Sequence, residues 1–279
     1  MRPGLLERLF LGTWTLLVSI FIIGPLLVII AISLTADGYI SLPYNGISWR
    51  WYDDMLQQEI FFDAALNSIL LAVEATATSV VLGTAVAVAI TRYRFPGRGL
   101  ILLLSGAPLF VPLVMTGLAV LVFFSTLGIG GPALRLYVAH ISLTVPYIVR
   151  MVSVSMAGFD WNQELAARNL GASPLRAFLE VTLPQIVPGV IAGAAFAFII
   201  SFDDVGMSIF LTGAAYKTLP VELFAFAAFD LTPMIAAVSV TMIVFSALFV
   251  LIIESAFGVQ RVLSGETRHD DRVAQPTPA

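Results

Sequence analysis

The chain has 279 residues, of which 59% are apolar and 11% are charged, and its mean hydropathy is +0.96. Ordinary soluble domains carry roughly 25% charged residues, so the composition excludes that class and indicates an integral membrane protein. The sequence has no cysteine, which excludes disulfides and thiol catalysis, and its net charge of -4 is informative only once it is mapped by side.

Six apolar stretches are long enough, at about 20 residues each, to cross a hydrocarbon core of about 30 Å as helices. The first contains Gly24 and Pro25 and has no small-residue cleavage pattern, so we expect it to remain in the mature chain. Proline inside several stretches predicts kinked helices around a cavity. The predicted spans are 10–33, 66–90, 100–126, 134–157, 188–212 and 232–256.

Basic residues near the ends of spans predict the orientation, because they prefer cytoplasmic loops. With the N-terminus inside, eleven arginines lie in cytoplasmic segments, and Arg50, Arg135 and Lys217 lie outside. The external segments 34–65 and 213–231 are rich in acids, which either attract cations or form ordinary solvated loops. The predicted cytoplasmic segments are 1–9, 91–99, 158–187 and a tail, 257–279, that we expect to be disordered.

Glu74 is an acid inside the predicted second span. Ionisable residues at membrane depth usually face protein or water and are functional candidates. Glu74 either lines a translocation path or forms a pair at a subunit interface.

The segment 158–187 is a polar interruption between the fourth and fifth spans. Asp160 or Asn162 can cap a short helix in which Glu164 and Arg168 form an i,i+4 pair. Gly171 ends that helix, because glycine readily adopts a positive φ.

A second short helix is predicted after this turn, with Ser173 as its cap and Pro174 in its first turn. It runs over 175–181 and ends before Pro184. The two helices form a compact knob that a soluble partner could grip, or an amphipathic pair that lies on the membrane without a partner.

Asp203 and Asp204 lie in the outer half of the predicted fifth span. Carboxylates at this depth could replace water around an ammonium group, and Phe198 and Phe202 could offer aromatic faces to a cation. Adjacent residues diverge on a helix, so both acids cannot address one ligand atom. The alternative is that one of them caps a broken helix or pairs with a base of another subunit.

Several short motifs occur in an order and at a spacing that resemble those of a known family. Leu165-Ala-Ala-x-x-x-Gly171-Ala-Ser, with nine residues between Gly171 and a following Val181-Thr-Leu-Pro184, resembles the cytoplasmic EAA loop of permease subunits of ATP-binding cassette importers. Motifs elsewhere resemble the spermidine/putrescine branch, and the likeness covers roughly residues 56–257. These are Asn67-Ser68, Arg92-Tyr-Arg-Phe-Pro-Gly97, Ser201-Phe-Asp-Asp204, Phe210-Leu-Thr-Gly213 and Thr218-Leu-Pro220.

The resemblance implies an all-α membrane protein with six transmembrane helices, the type I importer (MetI-like) permease fold, over about 63–256. It also implies cytoplasmic coupling helices, a second permease subunit, two ATPase subunits that bind ATP and Mg, and an external solute-binding protein. The chain itself would hold no cofactor or metal, bind no nucleic acid and lie in the bacterial inner membrane. The implied ATPase-coupling residues are Glu164, Leu165, Ala166, Ala167, Leu170, Gly171, Ala172, Leu183 and Pro184.

Two positions depart from the family pattern. The motif's usual acid falls at Leu165, and here it stands one residue earlier, at Glu164, which turns the side chain by about 100° on a helix. An acid common after the proline of the third span in polyamine permeases is absent, because Leu113 follows Pro112.

The sequence therefore predicts a transporter subunit rather than an enzyme, since it has no phosphate-cradling motif and no nucleophile beside a base. The substrate implied by the resemblance is a small cationic amine such as spermidine or putrescine. Opines, aminoethylphosphonate or other amino compounds remain open, as do two other classes, an ion-coupled carrier or channel and an intramembrane enzyme. Neither of these classes has a use for a coupling loop.

Overall fold

The computed structural model describes residues 4–43 and 45–257. Within these residues the chain forms α-helices joined by turns and two isolated β-bridges, with no β-strand, which confirms the predicted all-α class. The helices are α1 (Leu5–Ser33), α2 (Arg50–Leu56), α3 (Glu59–Arg92), α4 (Arg98–Gly106), α5 (Leu113–Leu127), α6 (Pro132–Ala157), α7 (Trp161–Asn169), α8 (Pro174–Ala177), α9 (Leu183–Phe202), α10 (Leu219–Phe229) and α11 (Met234–Phe257). The expectation for residues 258–279 lies outside the described residues.

Five helical stretches are long and apolar enough to cross a membrane, and a bent pair is a candidate for a sixth crossing. The five are Glu7–Ser33, Glu59–Arg92, Pro132–Ala157, Pro174–Phe202 and Met234–Phe257. The predicted third span, 100–126, is not one kinked helix, because α4 and α5 meet at an angle of 108°. Pro108 lies just before the break and Pro112 within it, and neither can donate a backbone N–H to continue the helix.

The predicted fifth span, 188–212, also differs from the structure. The helix ends ten residues earlier, at Phe202, and a 3₁₀ turn, Ser208–Phe210, follows. The side chain of Asp204 accepts backbone N–H bonds and thereby begins this new turn. Downstream, α10 occupies most of the predicted external loop 213–231. It is apolar apart from Glu222, but its eleven residues are too few to span a bilayer.

Contacts divide the chain into two compact units, and the first is formed by the described residues of Met1–Ala65 and Glu222–Ser246. Trp51 of α2 is buried and donates its indole N–H to the carbonyl of Thr35, at 3.0 Å. The phenol oxygen of Tyr52 lies 2.8 Å from the hydroxyl oxygen of Ser33, at the end of α1. These bonds anchor the segment after α1, whereas the apolar part of α1 itself is exposed.

The second unit is formed by the described residues of Leu66–Val221 and Ala247–Ala279. Its largest packed pair is α6 with α9, around buried side chains such as Ile148, Met156 and Ile186. Small residues permit this closeness, since a Cβ added at Gly189 would lie 2.6 Å from the Cβ of Ser155. Both regions singled out by the sequence, 158–187 and 203–210, lie in this unit.

Candidate functional site

The 158–187 loop begins with α7, whose two ends are fixed by local hydrogen bonds. The carboxylate of Asp160 accepts the N–H of Asn162 at 3.0 Å, so Asp160 rather than Asn162 is the cap. At the other end, Gly171 has φ +96° and donates to the carbonyl of Arg168, while Ala172 donates to Ala167. This pair of bonds is a Schellman motif, which places the turn where the sequence predicts it.

Glu164 lies inside the loop rather than on its surface. It is 3% exposed, forms an ion pair with Arg92 at the end of α3, and accepts a 2.8 Å bond from the hydroxyl of Thr182. The predicted i,i+4 pair with Arg168 is wrong, since Arg92 reaches the carboxylate from a position 72 residues away. We infer that Glu164 holds the loop together, and it does not present its carboxylate to a partner.

Apolar side chains of the same loop project outward. Leu170 is 90% exposed and Leu175 67% exposed, on either side of the Gly171 turn, and Leu165 is 53% exposed. Ala166 is exposed, and Ala167 and Ala172 are half-buried beside these leucines. Leu183 differs from them because it packs against the Ile148 cluster, while Pro184 is exposed. The structure therefore exposes three leucines of the loop, Leu165, Leu170 and Leu175, and directs Leu183 into the protein instead.

The sequence predicts that the second helix of the loop ends before Pro184, but in the structure this helix continues past Pro184. It starts at Pro174, capped by Ser173, and continues through a π-helix, Phe178–Thr182, directly into α9. The N–H of Leu183 donates to the carbonyl of Phe178, five residues back. The π-helix lies directly before Leu183-Pro184, and the helix continues past Pro184 although proline has no N–H to donate. The loop's second helix and α9 therefore form one continuous helix, Pro174–Phe202, which is long enough to span the membrane.

Residues 203–210 form a turn, here called the acidic turn, in which Asp203 and Asp204 have different surroundings. Asp203 caps the end of α9 and is exposed. Asp204 is buried, and its carboxylate accepts bonds from the N–H of Met207 at 3.3 Å, and from the N–H and hydroxyl of Ser208 at 2.9 and 2.7 Å. This arrangement favours the alternative that one aspartate caps a broken helix, and it leaves Asp203 as the accessible carboxylate.

The two phenylalanines predicted to face a cation are engaged elsewhere. Phe198 and Phe202 are 7% and 3% exposed, and their rings stack with centroids 6.1 Å apart. Phe198 also stacks on Phe249 at 4.2 Å. Since a cation must reach the face of a ring, the expected cation–π contact is not available in this structure.

Motif residues at the start of α3 hold the segment that leads into α10. The amide of Asn67 donates to the carbonyl of Lys217 at 3.1 Å, and the hydroxyl of Ser68 accepts the N–H of Leu219 at 2.7 Å. Burial raises the pKa of the Tyr216 phenol in this segment, and the negative charge of Glu74 raises it further. Glu74 is itself exposed on α3, and its charge acts on the segment that α3 holds.

Two residues from other helices, His140 and Gly117, contact the acidic turn, and the sequence analysis does not predict either contact. His140 of α6 is fully buried beside Asp204, and only its position within an apolar span hints at a role. Gly117 of α5 lies so close to the turn that an added Cβ would be 2.6 Å from the carbonyl oxygen of Met207. Within residues 4–43 and 45–257, no group of three or more acids and histidines could hold a metal ion.

Known proteins resemble this chain in sequence over most of its length. Residues 79–263 match the family described as "Binding-protein-dependent transport system inner membrane component". The spermidine/putrescine permease PotC of Haemophilus influenzae is 29% identical over 88% of this chain and 96% of its own. The putrescine permease PotI of Escherichia coli is 33% identical over 78% and 80%. The sulfate permease CysT of Salmonella typhimurium is 29% identical over 92% and 94%.

Solved structures share the fold at lower sequence identity. A chain from a bacterial ABC transporter involved in the import of the acidic polysaccharide alginate aligns with a TM-score of 0.68, at 17% identity, over 96% of this chain and 100% of its own. A chain of the MetNI methionine ABC transporter aligns with a TM-score of 0.54, at 20% identity, over 74% and 95%. The fold is therefore that of ABC importer permeases.

Proposed function

Because the chain belongs to the family of binding-protein-dependent transport system inner membrane components, we propose that it forms half of the translocation pathway of an ATP-driven importer. The family is one of transport permeases, which confirms the expectation that the chain is not an enzyme. A homologous second permease would supply the other half of the pathway. Two ATPase subunits would bind ATP and Mg, and an external binding protein would deliver the solute.

The observation that carries the coupling role is the outward leucine group at the Gly171 turn. One exposed leucine is ordinary, but Leu165, Leu170 and Leu175 are all exposed within one short polar segment, and exposed apolar groups of this kind mark interaction sites. The backbone that presents Leu170 is fixed by the Schellman motif and by the buried pair Glu164 and Arg92. A rigid apolar knob of this kind suits a cleft on a soluble ATPase.

Closure of the ATPases would then move the membrane helices through two firm connections. One is the helix that runs from Pro174 through the π-helix into α9, and the other is the ion pair from α7 to the end of α3. Displacement of the loop therefore reaches two spans at once, which is the kind of rigid-body movement that alternating access needs. The loop and both termini would lie in the cytoplasm, as the distribution of arginine predicts.

For the substrate we propose a polyamine, such as spermidine or putrescine. The relatives PotC and PotI are named for these amines, and Asp203 offers an accessible carboxylate at the end of α9. A carboxylate can take the place of water around an ammonium group. CysT, named for sulfate, is also a relative, so the same importer class with another solute is the alternative.

The experiment that separates these substrates is a ligand screen with the complete complex and its binding protein. Thermal stability of the binding protein should rise with spermidine or putrescine and stay unchanged with opines, aminoethylphosphonate and sulfate. ATP-dependent uptake of the same amine into proteoliposomes should then require the permease, the ATPases and the binding protein together. Stabilisation by sulfate alone would contradict the polyamine proposal but leave the importer class intact. Uptake without the ATPases would contradict the class itself.

A further inference from the structure

We propose that His140 is a positioning residue for Asp203, although the two side chains belong to different helices. His140 would hold the acidic turn against α6 and so fix the place of the one accessible carboxylate at the end of α9. The inference rests on the proposed function only in treating Asp203 as part of the substrate path.

Both ring nitrogens of His140 contact serine hydroxyls that flank the acidic turn. Nδ1 lies 2.7 Å from Oγ of Ser201, in the last turn of α9, and Nε2 lies 2.9 Å from Oγ of Ser208, where the 3₁₀ turn begins. His140 and Ser208 are 0% exposed, and Ser201 is 3% exposed. One side chain of α6 therefore joins the two ends of the break that contains Asp203.

The acid in this network assigns the proton of the imidazole. Ser208 donates its only hydroxyl proton to Oδ2 of Asp204 at 2.7 Å, so toward His140 the same hydroxyl can only accept. Nε2 must then carry a proton and donate it to Ser208, which leaves Nδ1 as the acceptor for Ser201. All of these bonds run in one direction, from Ser201 to Asp204, and each donor has an acceptor.

The network continues into the neighbouring helix of the same unit. The hydroxyl of Thr144 donates to the backbone carbonyl of His140 at 2.7 Å, and Ser79 of α3 lies 2.7 Å from that hydroxyl. Ser79 and Thr144 are also fully buried. The backbone of α6 at His140 is thus tied to α3 through two buried hydroxyls, which restrains α6 at the point from which the His140 ring extends.

Asp203 is held through this network without touching it. Its backbone N–H donates to the carbonyl of Ile199, one turn back in α9, and its neighbour Asp204 is fixed by Ser208. The backbone on both sides of Asp203 is therefore anchored, which fixes the position of the Cα from which the carboxylate extends. Loss of the contact between His140 and Ser208 would free the downstream side of the turn.

The test uses the absence of cysteine from the native sequence. Asp203→Cys places a single spin label at the turn, in the full chain assembled with its partner subunits, and its mobility is read from the electron paramagnetic resonance spectrum. Three backgrounds are compared, namely native His140, His140→Gln and His140→Asn. The glutamine amide reaches the position of Nε2 and keeps a donor for Ser208, the contact that holds the downstream side of the turn. It gives up the acceptor for Ser201, but Ser201 lies within α9 and is held there by the helix. The asparagine amide reaches only the position of Nδ1 and loses the contact with Ser208.

We expect the glutamine background to keep the label as immobile as the native residue does. The asparagine background should raise the ratio of mobile to immobile label by about tenfold, the effect of losing one well-made buried hydrogen bond. The control is Asp53→Cys, an exposed aspartate of α2, whose label should be unchanged in all three backgrounds.

Equal mobility in all three backgrounds, or equal loosening in the glutamine and asparagine backgrounds, would overturn the proposal. If His140→Asn also changes the control label, a double variant decides. Ser208→Ala removes the contact with His140 together with the bond to Asp204, so in the Ser208→Ala background a further His140→Asn substitution should add no mobility at position 203. No added mobility supports the proposal, and an increase as large as in the native background contradicts it. These readings need no solute, so they stay valid if the polyamine assignment fails.

Discussion

The 158–187 loop and the acidic turn both contain a buried acid, but they use their surroundings in opposite ways. In the loop, Glu164 is tied inward to Arg92 while leucines such as Leu170 project outward. In the turn, Asp204 is tied to Ser208 and the adjacent Asp203 is left accessible. In each region the buried acid is an anchor, and the exposed neighbour is the residue available to a partner or solute.

The largest expected effect tests the anchor of the loop. Glu164→Ala leaves Arg92 partly buried without its counter-charge, which should lower the free energy of unfolding by about 3–5 kcal/mol. Thermal unfolding of the purified permease measures this. The matched control is Glu180→Ala, which removes an exposed pair with Arg176 from the same loop and should cost about 0–1 kcal/mol. Equal losses in the two variants would show that burial is irrelevant to the pair.

The second effect compares the two aspartates of the acidic turn. Asp204→Asn removes the charge that three donors share and should cost about 1–3 kcal/mol of unfolding free energy. Asp203→Asn should leave stability within about 0.5 kcal/mol, because the side chain is exposed, yet should lower polyamine uptake. Denaturation and uptake assays on the same preparations read both quantities. Loss of stability in Asp203→Asn with normal uptake would reverse the assignment of the two roles.

The third effect concerns the turn that presents the leucines. Gly171→Val forces a β-branched residue into φ +96°, at a cost of about 1–2 kcal/mol or more, although no atom crowds its Cβ. Uptake should be abolished while solute binding to the external protein is unchanged. Gly171→Asn should retain most uptake, since asparagine tolerates this conformation. Gly99 also has open space around it but no positive φ, so Gly99→Val is the control for exchanging a glycine for valine without backbone strain. Normal uptake in Gly171→Val would contradict the coupling assignment.

The smallest effect on the chain itself is expected for the exposed leucine. Leu170→Ser should change the free energy of unfolding by no more than about 0.5 kcal/mol, because the side chain is 90% exposed. It should nevertheless weaken association with the ATPase subunits, measured by their copurification and by stimulated ATP hydrolysis. Leu179→Ser, a leucine 48% exposed in the π-helix, is a comparison away from the Gly171 turn. Unchanged association in Leu170→Ser would remove the leucine group from the proposed interface.

Most of the correct predictions rest on residues that act locally, as helix caps or in turns. Asp160, Gly171 and Ser173 stand where caps and turns require them, and the structure shows these residues in those conformations. Contacts between distant positions were not predictable in the same way. Arg92 meets Glu164 across 72 residues, and His140 meets Ser208 across 68, so only the packing of helices brings them together.

The end of α9 was missed for a related reason. Hydropathy continues beyond Phe202, which made 188–212 read as one span. The break depends on Asp204 accepting the N–H groups of Met207 and Ser208, a choice that hydropathy does not record. Such acids inside an apolar stretch mark positions at which a predicted span should be questioned.

The π-helix Phe178–Thr182 means that the loop and α9 are out of register by one residue. An α-helix counted backward from Pro184 would assign Leu175 to a face about 100° from the one it occupies. Deletion of a single residue from this stretch would therefore rotate the leucine group about the helix axis without changing its composition. Alignments of such loops by residue number alone will confuse the faces of any two relatives that differ in this one turn.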